Sequence, residues 1–204
     1  LGNFIPIDYY KIIIIRDIIN KVDNKTFLYD VKCSKSLEDE IIKLGGTPYC
    51  YRTGNSYTKA KVKELDLAFG GELSGHVYFR DKFLGFDSGI YAGLRLLEIL
   101  SNTTKSVEEL LDGINRYYST PEMKYKSDDN IKFKVVQKVI DYAKEKGYKY
   151  NDIDGIRVTF DYGWASVRAS NTGPNLTARF EASTKEALEK IKNEFEEIIF
   201  KYNK

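Results

Sequence analysis

The predicted helices and strands follow one order before residue 127 and a different order after it. Before that point, β-rich runs at 27–31, 47–52 and 67–69 alternate with helical segments. This alternation predicts a doubly wound α/β domain, because parallel strands need a crossover between them. After that point, the runs at 155–160, 164–169 and 177–181 follow one another through short connections. That order is typical of an antiparallel sheet with helices on one side, and thus of an α+β domain.

Capping residues predict where several helices begin. Asp8 can cap a helix that carries the isoleucines at 12–15, and Ser34 or Ser36 can cap the next one. Ser106 and Glu109 have the spacing of a capping box, which predicts a helix from there to about residue 117. The final helix is predicted over 185–202, with one apolar face formed by Leu188, Ile191, Phe195 and Ile198.

Composition excludes several classes of function. The 32 lysines and arginines are balanced by 30 aspartates and glutamates and are interspersed with them, so charge does not favour nucleic acid as a partner. A single histidine supports neither a zinc site nor a Ser-His-Asp triad with a spare partner, and we predict no metal site. Two cysteines without disulfide spacing indicate a reduced, cytoplasmic protein. No apolar run is long enough to span a membrane, and we expect no membrane association.

A glycine-rich stretch at 70–76 follows one of the predicted strands and carries three polar side chains. Glu72, Ser74 and His76 offer a hydrogen-bond acceptor, a hydroxyl and a titratable ring at alternate positions. The glycines let a ligand approach the backbone, and together these groups can bind sugar hydroxyls. The alternative is an ordinary glycine-rich turn in which Glu72 is solvated and His76 merely begins a strand.

A second polar stretch, at 168–175, lies between two predicted strands of the second domain. Arg168 supplies a forked donor for phosphate, while Ser170, Asn171 and Thr172 supply neutral donors beside exposed backbone amides. The alternative is a hairpin, since Ser, Asn, Gly and Pro all favour turns.

Five motifs occur together in a recognisable order. They are Tyr29-Asp-Val-Lys-Cys-Ser, Arg52-Thr-Gly-Asn-Ser, Gly71-Glu-Leu-Ser-Gly-His, Gly85-Phe-Asp-Ser-Gly-Ile-Tyr and Arg168-Ala-Ser-Asn-Thr-Gly-Pro. In this order and spacing, the chain resembles the α-D-phosphohexomutases of the bacterial phosphomannomutase/phosphoglucomutase type. The resemblance covers nearly the whole chain.

The resemblance implies the last two of four domains. Residues 1–6 would be the tail of a preceding domain, 7–126 the αβα sandwich of domain III, and 127–204 the TATA-binding-protein-like domain IV. In that family, a phosphoserine in the first domain and Mg²⁺ in the second transfer phosphate between positions of a hexose, through a hexose 1,6-bisphosphate. Neither the serine loop nor the metal loop is in this sequence. The chain alone is therefore expected to be inactive, its partners being the missing N-terminal domains and a hexose phosphate, and the parent is expected to be monomeric.

The resemblance also assigns roles to individual residues. Glu72 and Ser74 would bind the O3 and O4 hydroxyls, and Lys32 and Asn55 would bind sugar or phosphate oxygens. His76 would assist proton transfer at the reacting hydroxyl. The clamp for the phosphate that is not reacting would consist of Arg168, Ser170, Asn171 and Thr172.

Two other functions are open from the sequence. Phosphoglucosamine mutase is the alternative enzyme, since its sugar loop resembles this one except at Leu73. A non-catalytic module that binds sugar phosphates, or even nucleic acid, through the Arg168 loop is the alternative outside the enzyme class.

Overall fold

The computed structural model describes residues 2, 4–170 and 173–204, and it divides into two compact units. Unit 1 comprises Leu1–Asn115 and unit 2 comprises Arg116–Lys204. Within the described ranges, no helix is long and apolar enough to cross a membrane.

Unit 1 contains a four-stranded mixed sheet in the order β2-β1-β3-β4. Strand β1 pairs in parallel with β2 and β3, while β4 runs antiparallel to β3. This arrangement confirms the predicted α/β domain. The elements are α1 (Ile7–Ile18), β1 (Thr26–Asp30), α2 (Lys35–Lys43), β2 (Thr47–Tyr51), α3 (Asn55–Glu64), β3 (Phe69–Gly71), β4 (Val77–Phe79) and α4 (Gly89–Ser101).

Helices cover both faces of this sheet. Alternate residues of a strand point to opposite faces, so Phe27 and Tyr29 pack with the isoleucines of α1 and with α2 and α4. Leu28 points to the other face and packs with Val62 of α3. The αβα sandwich is thus built from two separate apolar cores.

Helix α1 begins differently from the prediction. Pro6 occupies the N-cap position without a side-chain cap, and Asp8 lies within the first turn. The Asp8 carboxylate is buried and forms an ion pair with Lys11 at 3.4 Å. The prediction that Asp8 caps the helix is wrong, because its side chain turns toward a buried ammonium group.

The helix predicted from Ser106 to about residue 117 is also wrong. The capping box itself forms, since the Ser106 amide donates to Glu109 Oε2 at 2.7 Å and the Glu109 amide donates to Ser106 Oγ at 3.2 Å. Only a three-residue 3-10 helix follows, Glu109–Leu111, and Gly113 is left-handed at φ 73°. The carbonyls of the residues at 110, 112 and 113 accept hydrogen bonds from the side chains of Arg16 and Lys43 instead, so they do not bond to a further helical turn.

Unit 2 contains an antiparallel sheet in the order β5-β10-β9-β8-β7, with β6 also paired to β10. Helices α5 and α6 cover one face, where Val139, Val167, Leu176 and Phe195 are fully buried. The predicted α+β domain and final helix are confirmed. The elements are β5 (Tyr118–Ser119), β6 (Met123–Lys126), α5 (Lys132–Glu145), β7 (Lys149–Asn151), β8 (Ile156–Phe160), β9 (Gly163–Ala169), β10 (Asn175–Ala182) and α6 (Lys185–Tyr202).

The boundary between the units precedes the predicted boundary at residue 127. Strands β5 and β6, which the sequence analysis assigned to the first domain, pair with β10. Residues from Arg116 onward therefore belong to unit 2. The polar turn at 127–130 connects β6 to α5 inside that unit and does not separate two domains.

Candidate functional site

Three loops of unit 1 meet at the carboxyl ends of its parallel strands. Asp30, the last residue of β1, is fully buried there. Its Oδ1 accepts hydrogen bonds from the Leu73 amide at 3.1 Å and from Cys33 Sγ at 2.9 Å, and its Oδ2 accepts one from the Thr53 hydroxyl at 3.0 Å. One carboxylate thus links the loops that follow β1, β2 and β3. Asp30 lies in the first of the five motifs, but no role was assigned to it from the sequence.

Glu72 is the best-fixed polar side chain of the glycine-rich loop. It is only 2% exposed, and its Oε1 accepts hydrogen bonds from the Thr58 hydroxyl at 2.8 Å and the Gly54 amide at 3.2 Å. Its Oε2 accepts a weaker one from Ser74 Oγ at 3.3 Å. The alternative of a solvated Glu72 is wrong, because two donors from the start of α3 hold the carboxylate in the protein.

Two glycines are required by the path of this loop. A Cβ at Gly70 would lie 2.6 Å from Val62 Cγ2, which is closer than packed atoms can approach. Gly75 has a φ of 102°, which side chains rarely allow. The turn is closed by the Glu72 amide, which donates to the His76 carbonyl at 2.8 Å.

His76 forms a close pair with Asp87, which lies in the fourth of the five motifs and had no role assigned from the sequence. Its Nδ1 lies 2.6 Å from Asp87 Oδ2, while Asp87 Oδ1 accepts from the Val77 amide at 3.3 Å. If Nδ1 carries the proton donated to Asp87, the exposed imidazole presents an unprotonated Nε2 that can accept a proton. The Asn55 amide nitrogen lies 3.5 Å from the same Asp87 oxygen. Four predicted residues, Asn55, Glu72, Ser74 and His76, therefore lie in one region of unit 1.

Lys32 and Tyr78 complete this region. Lys32 Nζ lies 3.9 Å from Asp30 Oδ2, so its charge is held at the same end of the sheet. The Tyr78 hydroxyl donates to the Asn55 carbonyl at 3.1 Å. Burial raises the pKa of Tyr78, and the nearby carboxylates of Glu72 and Asp87 raise it further. Tyr78 therefore stays protonated and fixes the backbone at the start of α3.

Arg168, in unit 2, is held by an acidic partner. Its Nε and one terminal nitrogen donate to the two oxygens of Asp154, at 3.1 and 3.3 Å. Arg168 and Ser170 are both largely buried. Asn171 and Thr172, the other two residues of the predicted clamp, lie outside the described residues. The forked pair with Asp154 fixes the plane of the guanidinium group.

Lys132 supports the same loop, although the sequence analysis did not single it out. It is the first residue of α5, is 6% exposed, and donates through Nζ to the carbonyls of Ser170 at 2.8 Å and Gly173 at 3.2 Å. The ammonium group therefore binds the loop on both sides of the residues at 171–172. A lysine at the start of an amphipathic helix is usually solvated, and the sequence did not distinguish this one.

A metal site is a separate question from these polar contacts. Among the described residues, no group of three or more His, Cys, Asp and Glu side chains is arranged to hold a metal ion.

Comparison with known proteins agrees with the division of the chain into two units. Residues 6–117 match the family model of phosphoglucomutase/phosphomannomutase, alpha/beta/alpha domain III, and residues 122–198 match its C-terminal domain. A phosphomannomutase/phosphoglucomutase from Pseudomonas syringae is 38% identical over 194 residues, covering 95% of this chain and 42% of that protein. A phosphoglucomutase from Neisseria gonorrhoeae is 37% identical over 200 residues, covering 97% of this chain and 43% of that protein.

A solved structure shows the same fold. The phosphoglucomutase/phosphomannomutase family protein from Burkholderia thailandensis is similar with a TM-score of 0.87 and 35% identity, covering 97% of this chain and 42% of that one. The chain thus spans less than half the length of these relatives. The resemblance inferred from the five motifs is confirmed. The chain belongs to the phosphoglucomutase/phosphomannomutase family, of which it carries the alpha/beta/alpha domain III and the C-terminal domain.

Proposed function

We propose that this chain is the substrate-binding part of an enzyme that interconverts hexose 1-phosphates and hexose 6-phosphates. The buried carboxylate of Glu72 carries the proposal, because Thr58 and Gly54 hold it in place beside the exposed Ser74. A sugar hydroxyl that replaces Ser74 at Glu72 Oε2 would meet an acceptor that is already ordered. Such preorganisation lowers the entropic cost of binding.

Glu72 and Ser74 would then bind neighbouring hydroxyls of the hexose. The carboxylate accepts hydrogen bonds through either oxygen, and the serine hydroxyl both donates and accepts. Lys32 and Asn55 would bind sugar or phosphate oxygens at the same end of the sheet. This set of groups suits a polyhydroxylated ligand better than an apolar one.

The loop of unit 2 would bind a phosphate group. Asp154 binds Nε and one terminal nitrogen of Arg168 and so fixes the plane of the guanidinium, whose other terminal nitrogen would donate to phosphate oxygens. Ser170, with Asn171 and Thr172, would add neutral donors. Lys132 binds the carbonyls of Ser170 and Gly173, whose partial negative charge would otherwise repel a phosphate.

His76 would assist proton transfer at the reacting hydroxyl. With its Nδ1 proton donated to Asp87, its Nε2 can accept the hydroxyl proton. The phosphoserine, and the Mg²⁺ that neutralises phosphate charge, would belong to the rest of the parent enzyme. A hexose 1,6-bisphosphate would be the intermediate. We accordingly propose that the chain binds substrate without turning it over and that the parent is a cytoplasmic monomer.

Calorimetry with the purified chain tests this proposal. We expect glucose 1-phosphate or mannose 1-phosphate to bind weakly, and Glu72→Gln and Arg168→Ala each to weaken binding at least tenfold. Glu64→Gln is the control, since this exposed carboxylate at the end of α3 forms a surface ion pair with Lys61. Binding of neither sugar phosphate, or equal binding by all three variants, would refute the proposal. Tighter binding of glucosamine phosphates would favour the phosphoglucosamine alternative.

A coupled assay and a DNA titration address the other expectations. Turnover of glucose 1-phosphate by the chain alone would contradict the proposal that phosphate transfer requires the rest of the parent enzyme. Salt-dependent binding to duplex DNA that is lost in Arg168→Ala would favour a nucleic-acid module instead.

A further inference from the structure

A lysine and a cysteine approach each other closely in the core of unit 1. Lys11 Nζ, on α1, lies 2.8 Å from Cys33 Sγ, which follows β1. The two residues are 1% and 0% exposed. An ammonium group and a thiol are held closer here than the large sulfur atom ordinarily allows in a hydrogen bond. The distance between Nζ and Sγ is close to that between two atoms bonded to the same bridging atom.

Each of these two groups has a carboxylate beside it. Cys33 Sγ donates to Asp30 Oδ1 at 2.9 Å, and Lys11 Nζ lies 3.4 Å from Asp8 Oδ1. Both the thiol proton and the ammonium protons therefore have acceptors within the core. The isoleucines of α1 form the apolar surroundings of this cluster.

The resting state of this cluster is a thiol and an ammonium group. Burial raises the pKa of Cys33, and the Asp30 carboxylate raises it further. Burial alone would lower the pKa of Lys11, but Cys33, Asp8 and Asp30 together outweigh burial and raise it. The reduced cluster is therefore stable near neutral pH, and a chemical change in it requires an oxidant.

We propose that Lys11 and Cys33 form a covalent crosslink on oxidation, in which one oxygen atom bridges Nζ and Sγ. The oxidant is molecular oxygen. The ammonium group loses two protons, the thiol loses one, and new N–O and O–S bonds form. One oxygen atom of O₂ enters the bridge, and the other leaves as water with two of the three protons; the third proton passes to solvent. Nitrogen and sulfur are oxidised by four electrons in total, and O₂ is reduced by four.

The crosslink would change the loops around Asp30. That carboxylate would lose the Cys33 thiol as a donor and the Lys11 positive charge as a neighbour, while still binding the Leu73 amide and the Thr53 hydroxyl. Oxidation in the core would thereby alter the loop that carries Glu72. Only this consequence rests on the proposed function; the crosslink itself does not.

Mass spectrometry of the intact chain tests the proposal. After incubation in oxygen-saturated buffer, we expect a species heavier by one oxygen and lighter by two hydrogens, in which one proteolytic product joins Lys11 to Cys33. Dithiothreitol should restore the original mass. Cys50→Ser should still form the species, whereas Cys33→Ser and Lys11→Arg should not.

Three outcomes would overturn the proposal. They are an unchanged mass, oxygen added to Cys33 without a link to Lys11, and a linked species that survives dithiothreitol. Mapping of the wild-type chain decides the matter even if a substitution in the buried cluster prevents folding. Glucose 1-phosphate affinity, compared before and after oxidation, is a separate measurement. A crosslink without a change in affinity would refute only the coupling to the loop.

Discussion

Replacing Lys132 with methionine is expected to destabilise unit 2 and release the loop that precedes β10. Methionine keeps the apolar contacts of the side chain but removes the donor for the carbonyls of Ser170 and Gly173. A buried acceptor left without a partner costs about 1–3 kcal/mol. Ser170 is buried whereas Gly173 is partly exposed, so the second carbonyl can regain water. We therefore expect a loss of about 1–3 kcal/mol in the free energy of unfolding of unit 2.

Urea denaturation followed by the fluorescence of Trp164, the single tryptophan of the chain, measures this loss. The matched control is Lys138→Met on the same helix, where the side chain is 53% exposed and its ion pair with Asp141 spans 3.9 Å. A surface pair of this kind contributes about 0–1 kcal/mol. If Lys132→Met were no more destabilising than Lys138→Met, the two carbonyls would not depend on the ammonium group. Lys132 would then contribute no more to the stability of unit 2 than an exposed lysine does.

Three further predictions concern other contacts of the two units. Thr58→Val removes a donor from the buried Glu72 carboxylate and should cost unit 1 about 1.5–3 kcal/mol in urea denaturation, whereas Thr58→Ser, which keeps the hydroxyl, should cost less. Asp87→Ala should shift the proton of neutral His76 away from Nδ1; because the chain has one histidine, nitrogen-correlated NMR reports this directly, and an unchanged tautomer would contradict the pairing. Burial, together with a hydrogen bond to a glutamate of α6, raises the pKa of Tyr142 from 10.0 to about 12. Since folding favours the neutral phenol, its contribution to stability is complete below pH 10 and is lost as the pH rises toward 12, so denaturation across this range should show a smaller decline in Tyr142→Phe.

The fold was predictable wherever one residue pattern determined an element. The final helix matched its predicted bounds because its apolar face repeats without interruption. Strands β5 and β6 were missed because they are short and largely exposed, and they exist only through pairing with β10. The box at Ser106 predicted a helix that ended early, because side chains distant in sequence bind the carbonyls that follow it.

The sequence suggested residues for the candidate site but not the contacts that hold them. The motifs identified Glu72 and Arg168, yet nothing local decided whether Glu72 is solvated. Its burial depends on donors at the start of α3, and the orientation of Arg168 depends on Asp154. These partners are distant in sequence, and their residue types are also common on protein surfaces. Sequence spacing therefore suggested candidate groups but did not determine their hydrogen-bond partners.

Buried charged side chains bind the described parts of both loops. Removing a carboxylate or an ammonium group from water costs free energy unless hydrogen bonds replace its hydration. Asp30 and Lys132 satisfy this condition with donors and acceptors that belong to the loops themselves. The described residues that bind Asp30 and Lys132 must therefore stay in place for these charges to keep their hydrogen bonds. The cost of desolvation disfavours conformations that break these hydrogen bonds, and for the same reason removal of one partner should lower the free energy of unfolding.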